Sequence, residues 1–292
     1  FSRMKNDLIE ELTIVIIAYN SNDLLLKCLK NIKKFNIIIV DNGKNNKIFS
    51  RINFNETKIK TISKNKNLGF PKGVNFAVEF IKTPYFLILN ADTFINEYSI
   101  NQLFDTCKKY KNCGAASPIT DLDIDGYDLF PENGKSVIRN NKQSNICNSL
   151  VNLKPDGEIC VEIAKLGLMI NLNNFKKVGM FSEKFFMFWE EIDLCKKFRK
   201  NNLSVIVNPQ AKLIHDKKKS SNNDLTTFAI KNFHLELSPL HYFNVQKNSK
   251  FLYIRILKYT FRAITYLLIL NLKNSLRNII KLSANLSYIL SK

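Results

Sequence analysis

The sequence predicts an α/β protein, a doubly wound and mostly parallel sheet followed by a helical C-terminal extension. Three observations predict it. Short apolar runs rich in β-branched residues alternate with helix-length stretches along the first two thirds of the chain. Polar residues close those runs at Tyr19-Asn20, Asp41-Asn42 and Asn90-Ala91-Asp92, the strand ends beyond which doubly wound sheets bind ligands. The stretch from Phe251 to Lys292 carries seven basic residues and no acidic one, on a pattern of helical length.

Each element has a local reason. Leu12 to Ala18 is an unbroken apolar run, as expected of a strand covered on both faces. Asn20-Ser21-Asn22-Asp23 supplies capping side chains for a helix over Leu24 to Ile32. Strands follow at Asn36 to Val40 and Lys58 to Ile62, a helix at Lys72 to Ile81, and a strand at Tyr85 to Leu89. From Thr120 to Ile159 the chain is polar and turn-rich, a long excursion over the site. Order returns at Ala164 to Leu172, with a helix near Asp193 to Asn201 and a strand at Leu203 to Val207. The expected organisation is a lead over 1–11 (Phe1-Ser2-Arg3 reads as an added remnant ahead of Met4), a catalytic domain over 12–222, and a basic helical extension over 223–292.

At 292 residues and 45% hydrophobic content the chain can bury a substantial core. Its formal charge of +19 favours phosphate-rich partners: nucleotides, nucleic acids or anionic lipid. The six cysteines show no CxxC pair, so neither a zinc knuckle nor a disulfide framework is expected, and a reduced, cytoplasmic setting is. The polar start lacks a signal-peptide pattern, and the run Ala263 to Leu272 is shorter than the ~20 residues a membrane-crossing helix needs. The absence of a GxGxxG fingerprint argues against a nicotinamide enzyme.

Five groups of residues can carry chemistry, each with a plain alternative. Asp92 directly follows an apolar strand, where a carboxylate gains from a divalent cation; it could equally cap the helix beginning near Ser99. Asp41 could accept from a uracil or thymine N–H, or simply form an Asp-Asn-Gly turn. Asn65 to Asn75, with Gly69 and Gly73, can bring N–H groups close to a ribose or phosphate, although ordinary loops share this composition. The aromatic run Phe185 to Trp189 delivers Glu190, Glu191 and Asp193 to a helix start, either as a tuned base or as ordinary first-turn acids. At helical spacing Glu190 and Asp193 share a face and Glu191 points elsewhere. His215, ahead of Asp216 and Lys217-Lys218-Lys219, is a metal-ligand candidate or a structural histidine.

Together these pieces resemble glycosyltransferase family 2, especially its bacterial rhamnosyltransferase-like branch. Ile16 to Asn20, Val40-Asp41-Asn42, Asn65 to Asn75, Leu89 to Asp92, Gly167 to Ile170, Phe185 to Asp193 and Pro209 to His215 occur in the family's order. The resemblance implies an A-type glycosyltransferase fold, a nucleotide-diphosphate sugar donor, Mg²⁺ or Mn²⁺, and inversion at the anomeric carbon. By position Ala18, Tyr19, Asn20, Asp41 and Asn42 would hold base and ribose, supported by Asn67 and Gly69. Asp92 matches the last acid of the family's DxD-type motif, His215 its later metal-ligand histidine, and Glu191 its general base, with Glu190 in reserve. Asn90 replaces the first DxD acid, Glu191 stands where Asp is commoner, and Asp216 stands where a small residue is usual.

The resemblance also implies a saccharide or lipid-linked acceptor, surface polysaccharide synthesis of the O-antigen kind, and rhamnose as one donor sugar. Taken as one helix from Phe251 to Lys281, the extension would place six basic residues within an arc of about 140°. Leu257, Ile264 and Leu268 fall opposite, a pattern that suits an anionic membrane surface on the cytoplasmic face. Packing on the catalytic domain or in a homodimer is the alternative. Two rival readings are a basic nucleic-acid-binding protein, which leaves the strand-end carboxylates unexplained, and a non-catalytic scaffold, suggested by Asn90.

Overall fold

In the computed structural model, residues 8–20, 22–43, 58–120, 157–215 and 224–291 are described. They form two compact units, one of residues 1–182 and 191–220, the other of 183–190 and 221–292.

The first unit is built on a nine-stranded sheet. Its parallel half comprises β1 (Leu12–Ala18), β2 (Asn36–Asp41), β3 (Ile59–Ile62) and β4 (Tyr85–Asn90), in the order β3-β2-β1-β4. β1 is central and buried along nearly its whole length, which is why its sequence has no polar alternation. The helices α1 (Asn22–Lys30) and α2 (Gly69–Val78) make the crossovers, followed by α3 (Glu97–Lys109). The second half is mixed. β8 (Leu168–Asn171) runs antiparallel to β4 and to β6 (Cys113–Thr120), and β6 runs parallel to β9 (Ser204–His215). The short strands β5 (Thr93–Ile95) and β7 (Ile159–Val161) each pair antiparallel with β9. Apolar layers cover both faces of the sheet: Leu25, Ile32 and Leu103 belong to one, Val74, Phe175 and Phe198 to the other. α4 (Leu172–Lys177) and α5 (Glu190–Lys200) complete this part of the chain.

Two features depart from the sequence expectation. β9 has 12 residues and extends as far as His215, because the polar positions Asn208 and Lys212 still make strand pairings on either side of a register shift. β5 is a separate strand of three residues, too short to leave a periodic signal. The excursion expected over Thr120 to Ile159 falls largely on residues outside the described set, as do Ser21, Asp216 and Lys217 to Lys219. Cys160 is disulfide-bonded, against the expectation of reduced cysteines, while Cys28, Cys107, Cys113 and Cys195 are free and buried.

The second unit contains α6 (Leu225–Tyr242), α7 (Lys250–Leu268) and α8 (Leu272–Leu290). The single helix assumed over Phe251 to Lys281 is therefore corrected to a hairpin. Leu270 takes a left-handed φ of 55°, and Asn271 then caps α8 by accepting from the Asn274 N–H. A buried polar knot joins the three helices. Glu236 on α6 accepts from Arg255 and from the Tyr259 hydroxyl (3.0 Å) on α7, and from Asn285 on α8 (3.0 Å). Arg255 is therefore turned inward, and Arg277 and Lys281 lie over the rings of Phe228 and Tyr259. The basic face computed for one continuous helix is split accordingly. Among the described residues no helix is long and apolar enough to cross a membrane.

Candidate functional site

The strand-end residues of the parallel half converge. In register Ala18 sits beside Asp41, and the Asn42 N–H donates to the Ala18 carbonyl at 2.9 Å. Asn20 has a left-handed φ of 50°, which turns the chain back after β1. A Cβ added at Gly43 would lie 3.2 Å from both Asn20 Oδ1 and Asp41 Oδ1, so glycine keeps open the space these two oxygens border. The Gly43 N–H donates to Asp41 Oδ1 at 2.8 Å, the turn anticipated as the plain alternative, which leaves its other oxygen for a further donor. Burial pushes the Asp41 carboxyl up, with the Gly43 bond partly offsetting it; a desolvated carboxylate of this kind gains from an incoming N–H.

Asn42 is a brace. Its Nδ2 donates to the Gly69 carbonyl at 2.9 Å and its Oδ1 accepts from the Leu68 N–H at 3.3 Å. Asn67 Oδ1 accepts from the Gly69 N–H at 2.9 Å, and Gly69 itself has φ 75°, a conformation that glycine adopts without a Cβ penalty. Asn42, Asn67 and Gly69 therefore shape the loop at the start of α2. Tyr19 is half-buried just beyond β1.

Asp92 and His215 meet directly. β5 pairs Thr93 with His215 on β9, and His215 Nε2 lies 3.2 Å from Asp92 Oδ2, both side chains being largely buried. The helix-cap alternative for Asp92 is ruled out, because Asn96 caps α3 by accepting from the Ser99 N–H at 2.8 Å. Asp92 is also felt by Cys28 on α1, whose thiol is pushed up to about 12 by burial and then by the Asp92 charge.

These two donors suit Mg²⁺ or Mn²⁺. Two ligand atoms at right angles on an ion with bonds of ~2.1 Å lie ~3.0 Å apart, close to the separation of Asp92 Oδ2 and His215 Nε2. Among the described residues no cluster of three His, Cys, Asp or Glu side chains is placed to hold a metal.

Asn90 and Glu191 line one pocket with Phe70, Lys165, Gly167 and Phe181. It encloses about 220 Å³ with its open mouth included. Asn75 fixes one wall by bonding twice to Phe181, donating to its carbonyl at 3.0 Å and accepting its N–H at 3.1 Å. Gly167 fixes another. It has φ 63°, and a Cβ there would lie 2.8 Å from Leu213 Cδ1 and 2.9 Å from Pro118 Cγ. Glu190 is buried and is not among the lining residues, so the two adjacent acids have different surroundings. Lys165 was not anticipated; its only sequence signal is its position two residues before the motif glycine.

The aromatic segment ahead of the acids belongs to the second unit and is held there by α6. Phe188 and Trp189 both occupy the left-handed region, at φ 65° and 71°, costing about 1–2 kcal/mol each for residues with a Cβ. Four contacts within the unit hold this strained turn. Phe186 stacks on His234 at 4.6 Å, Trp189 packs on Tyr242 and Phe243, and the Ser238 hydroxyl donates to the Met187 carbonyl at 2.8 Å. None of these residues of α6 and its C-cap had a sequence signal, since they lie beyond the last recognisable motif.

Comparison with known proteins bears on this arrangement. The model of glycosyl transferase family 2 matches residues 13–168. The teichoic acid poly(glycerol phosphate) polymerase of Staphylococcus epidermidis is 30% identical over 158 residues, covering 47% of this chain and 22% of that protein. The low-salt glycan biosynthesis hexosyltransferase Agl10 of Haloferax volcanii is 23% identical over 218 residues, 70% of this chain and 66% of that protein. The chain thus spans about a fifth and about two thirds of these curated relatives. A mannosyltransferase from Pyrobaculum calidifontis, solved with GDP-Man and Mn²⁺, superposes with TM-score 0.57 at 12% identity, over 98% of this chain and 79% of that one. GalNAc-T7, solved with UDP, GalNAc and Mn²⁺, gives TM-score 0.55 at 12% identity, over 70% and 42%. At such identity the likeness is one of fold.

Proposed function

The chain belongs to glycosyl transferase family 2, and on that premise we propose that it moves a sugar from a nucleotide-diphosphate donor to a hydroxyl of a saccharide or lipid-linked acceptor, inverting the anomeric carbon. The observation that carries this reading is the set of functional residues at strand ends and at the start of α5: Asp92 lies against His215, and Asn90 and Glu191 line one pocket.

In this reading Ala18, Tyr19, Asn20 and Asp41 receive the base and ribose, with Asn42, Asn67 and Gly69 supporting that loop. Asp92 and His215 hold Mg²⁺ or Mn²⁺ together with the donor diphosphate, as the Mn²⁺ in the structures of two fold relatives suggests. When bound, the ion supplies positive charge that stabilises the departing diphosphate. Glu191 accepts the proton of the acceptor hydroxyl, whose oxygen attacks the anomeric carbon from the face opposite the leaving group. Asn90 presents an amide to the sugar. Glu190 is the reserve base, disfavoured by its burial.

Surface polysaccharide synthesis at the cytoplasmic face of a membrane, with rhamnose as one donor sugar, is the setting we propose. The relatives named for teichoic acid polymerisation and for low-salt glycan biosynthesis support the general class. The test is Glu191→Gln, with transfer and thermal shift measured across a panel of sugar nucleotides with and without Mn²⁺. Transfer is expected to fall by at least ~10²-fold while the donor-induced shift persists. Unchanged transfer would remove Glu191 from the role, and no Mn²⁺-dependent shift with any donor would remove the reading itself.

A further inference from the structure

The α7–α8 hairpin ends in a surface that a soluble protein rarely leaves bare. Large apolar side chains in the second unit stand in solvent at Leu257 (69% exposed), Phe261 (71%), Leu268 (78%) and Leu270 (81%), with Ile264 and Leu272 also exposed. They run along one side of α7 and around the turn, a contiguous arrangement that marks an interaction site. The stem beneath them is fixed. Ser275 donates to the Ala263 carbonyl at 2.9 Å, and below that level Tyr259 and Asn285 are locked to Glu236.

The charge around this tip has one sign. Lys258, Arg262 and Lys273 are exposed beside it, whereas Arg255 is turned inward to Glu236. No Asp or Glu occurs from Lys250 to Lys292. From the Ala263–Ser275 level to Leu268 the helix rises ~7.5 Å, within the ~5–10 Å that an interfacial apolar segment sinks below the headgroups. At that depth Arg262 and Lys273 sit at the headgroup plane, and their long stems let the charges remain in water.

We propose that the tip of the α7–α8 hairpin, Ile264 to Leu272, inserts as a wedge into an anionic bilayer surface, with Lys258, Arg262 and Lys273 paired to lipid phosphates. The wedge enters one leaflet end-on, unlike a helix lying flat, and neither helix crosses the membrane. This inference stands apart from the glycosyl-transfer reading, since it uses none of the strand-end residues.

Flotation of the full chain with vesicles containing phosphatidylglycerol, against pure phosphatidylcholine, is the first measurement. Recovery is expected on the anionic vesicles, with at least a 10-fold loss in Leu268→Glu/Leu270→Glu and a weaker, salt-sensitive loss in Arg262→Gln/Lys273→Gln. These positions are exposed, so the melting temperature should stay at the wild-type value. Leu270→Trp adds a depth readout: its emission, after subtraction of the Trp189 background, should be quenched by lipids brominated on the acyl chain. Equal recovery with and without anionic lipid, or no quenching at residue 270, overturns the proposal. So does a dimer in light scattering that the double glutamate variant dissociates without any vesicle binding, since a second copy would then cover the face. Donor hydrolysis measured without vesicles separates these outcomes from failure of the catalytic reading.

Discussion

The sheet unit and the helical unit are both rich in apolar residues, and they use them in opposite ways. In the sheet, Leu87, Leu89, Ile14 and Ile16 are sealed between helical layers, and the polar groups surface only at strand ends. In the helical unit, a small apolar cluster of Leu240, Leu252 and Tyr288 is sealed beside a polar knot around Glu236, and large apolar side chains of α7 face outward. The difference teaches that hydrophobicity alone does not say where the core is. In the sheet, burial supports a site by fixing strand ends. In the hairpin, the exposed apolar surface is itself the feature that calls for a function.

The comparison can be broken by truncating one leucine in each region. Leu89→Ala should cost about 2–5 kcal/mol, because β4 is covered on both faces and cannot collapse around the void. Leu257→Ala, at a site 69% exposed, should change stability by less than about 0.5 kcal/mol. Equal losses in denaturant titrations would mean that the α7 face is covered in solution.

Within the sheet unit the contrast sharpens at two residues close in sequence. Asn96→Ala removes the α3 cap and should cost about 1 kcal/mol. Asp92→Asn removes no cap, so its stability effect should be small and its loss should appear in Mn²⁺-dependent donor binding. A stability loss at residue 92 matching that at residue 96, with donor binding intact, would restore the structural reading of Asp92.

The smallest effect concerns pH. Burial, with the neighbouring His241, lowers His234 from 6.5 to about 4. The unfolded chain therefore takes up this proton first as pH falls. Stability contributed by neutral His234 is present above about pH 6.5 and is lost progressively toward pH 4. His234→Phe, which keeps a ring against Phe186, should flatten that part of the helical unit's pH–stability curve. An unchanged slope would show that His234 does not report on the α6 contact with Phe186.

Much of the site was legible because it lies at strand ends. Asp41, Asn42, Asp92 and His215 follow apolar runs whose period reveals the strand, and the strand's end fixes the residue's place. Contact between Asp92 and His215 was not legible, because it depends on β5 and on the far end of β9. A three-residue strand and a strand with polar positions leave no periodic trace. The hairpin was missed for a related reason: the stretch Ala263 to Leu272 reads as one apolar run, and only a left-handed Leu270 with Asn271 as a cap divides it.

By itself the sequence determined the alternation of strands and helices, the residues that stand at strand ends, and the excess of positive charge. All of these follow from local pattern, since burial on both faces forces continuous apolar runs and their ends must carry the polar groups. Tertiary structure alone decided which of two adjacent acids lines the pocket, that Asn96 and not Asp92 caps α3, and that α6 holds the strained Phe188–Trp189 turn. Those outcomes depend on packing between segments up to 123 residues apart, as for Asp92 and His215, and a one-dimensional pattern has no term for which segment will lie against which.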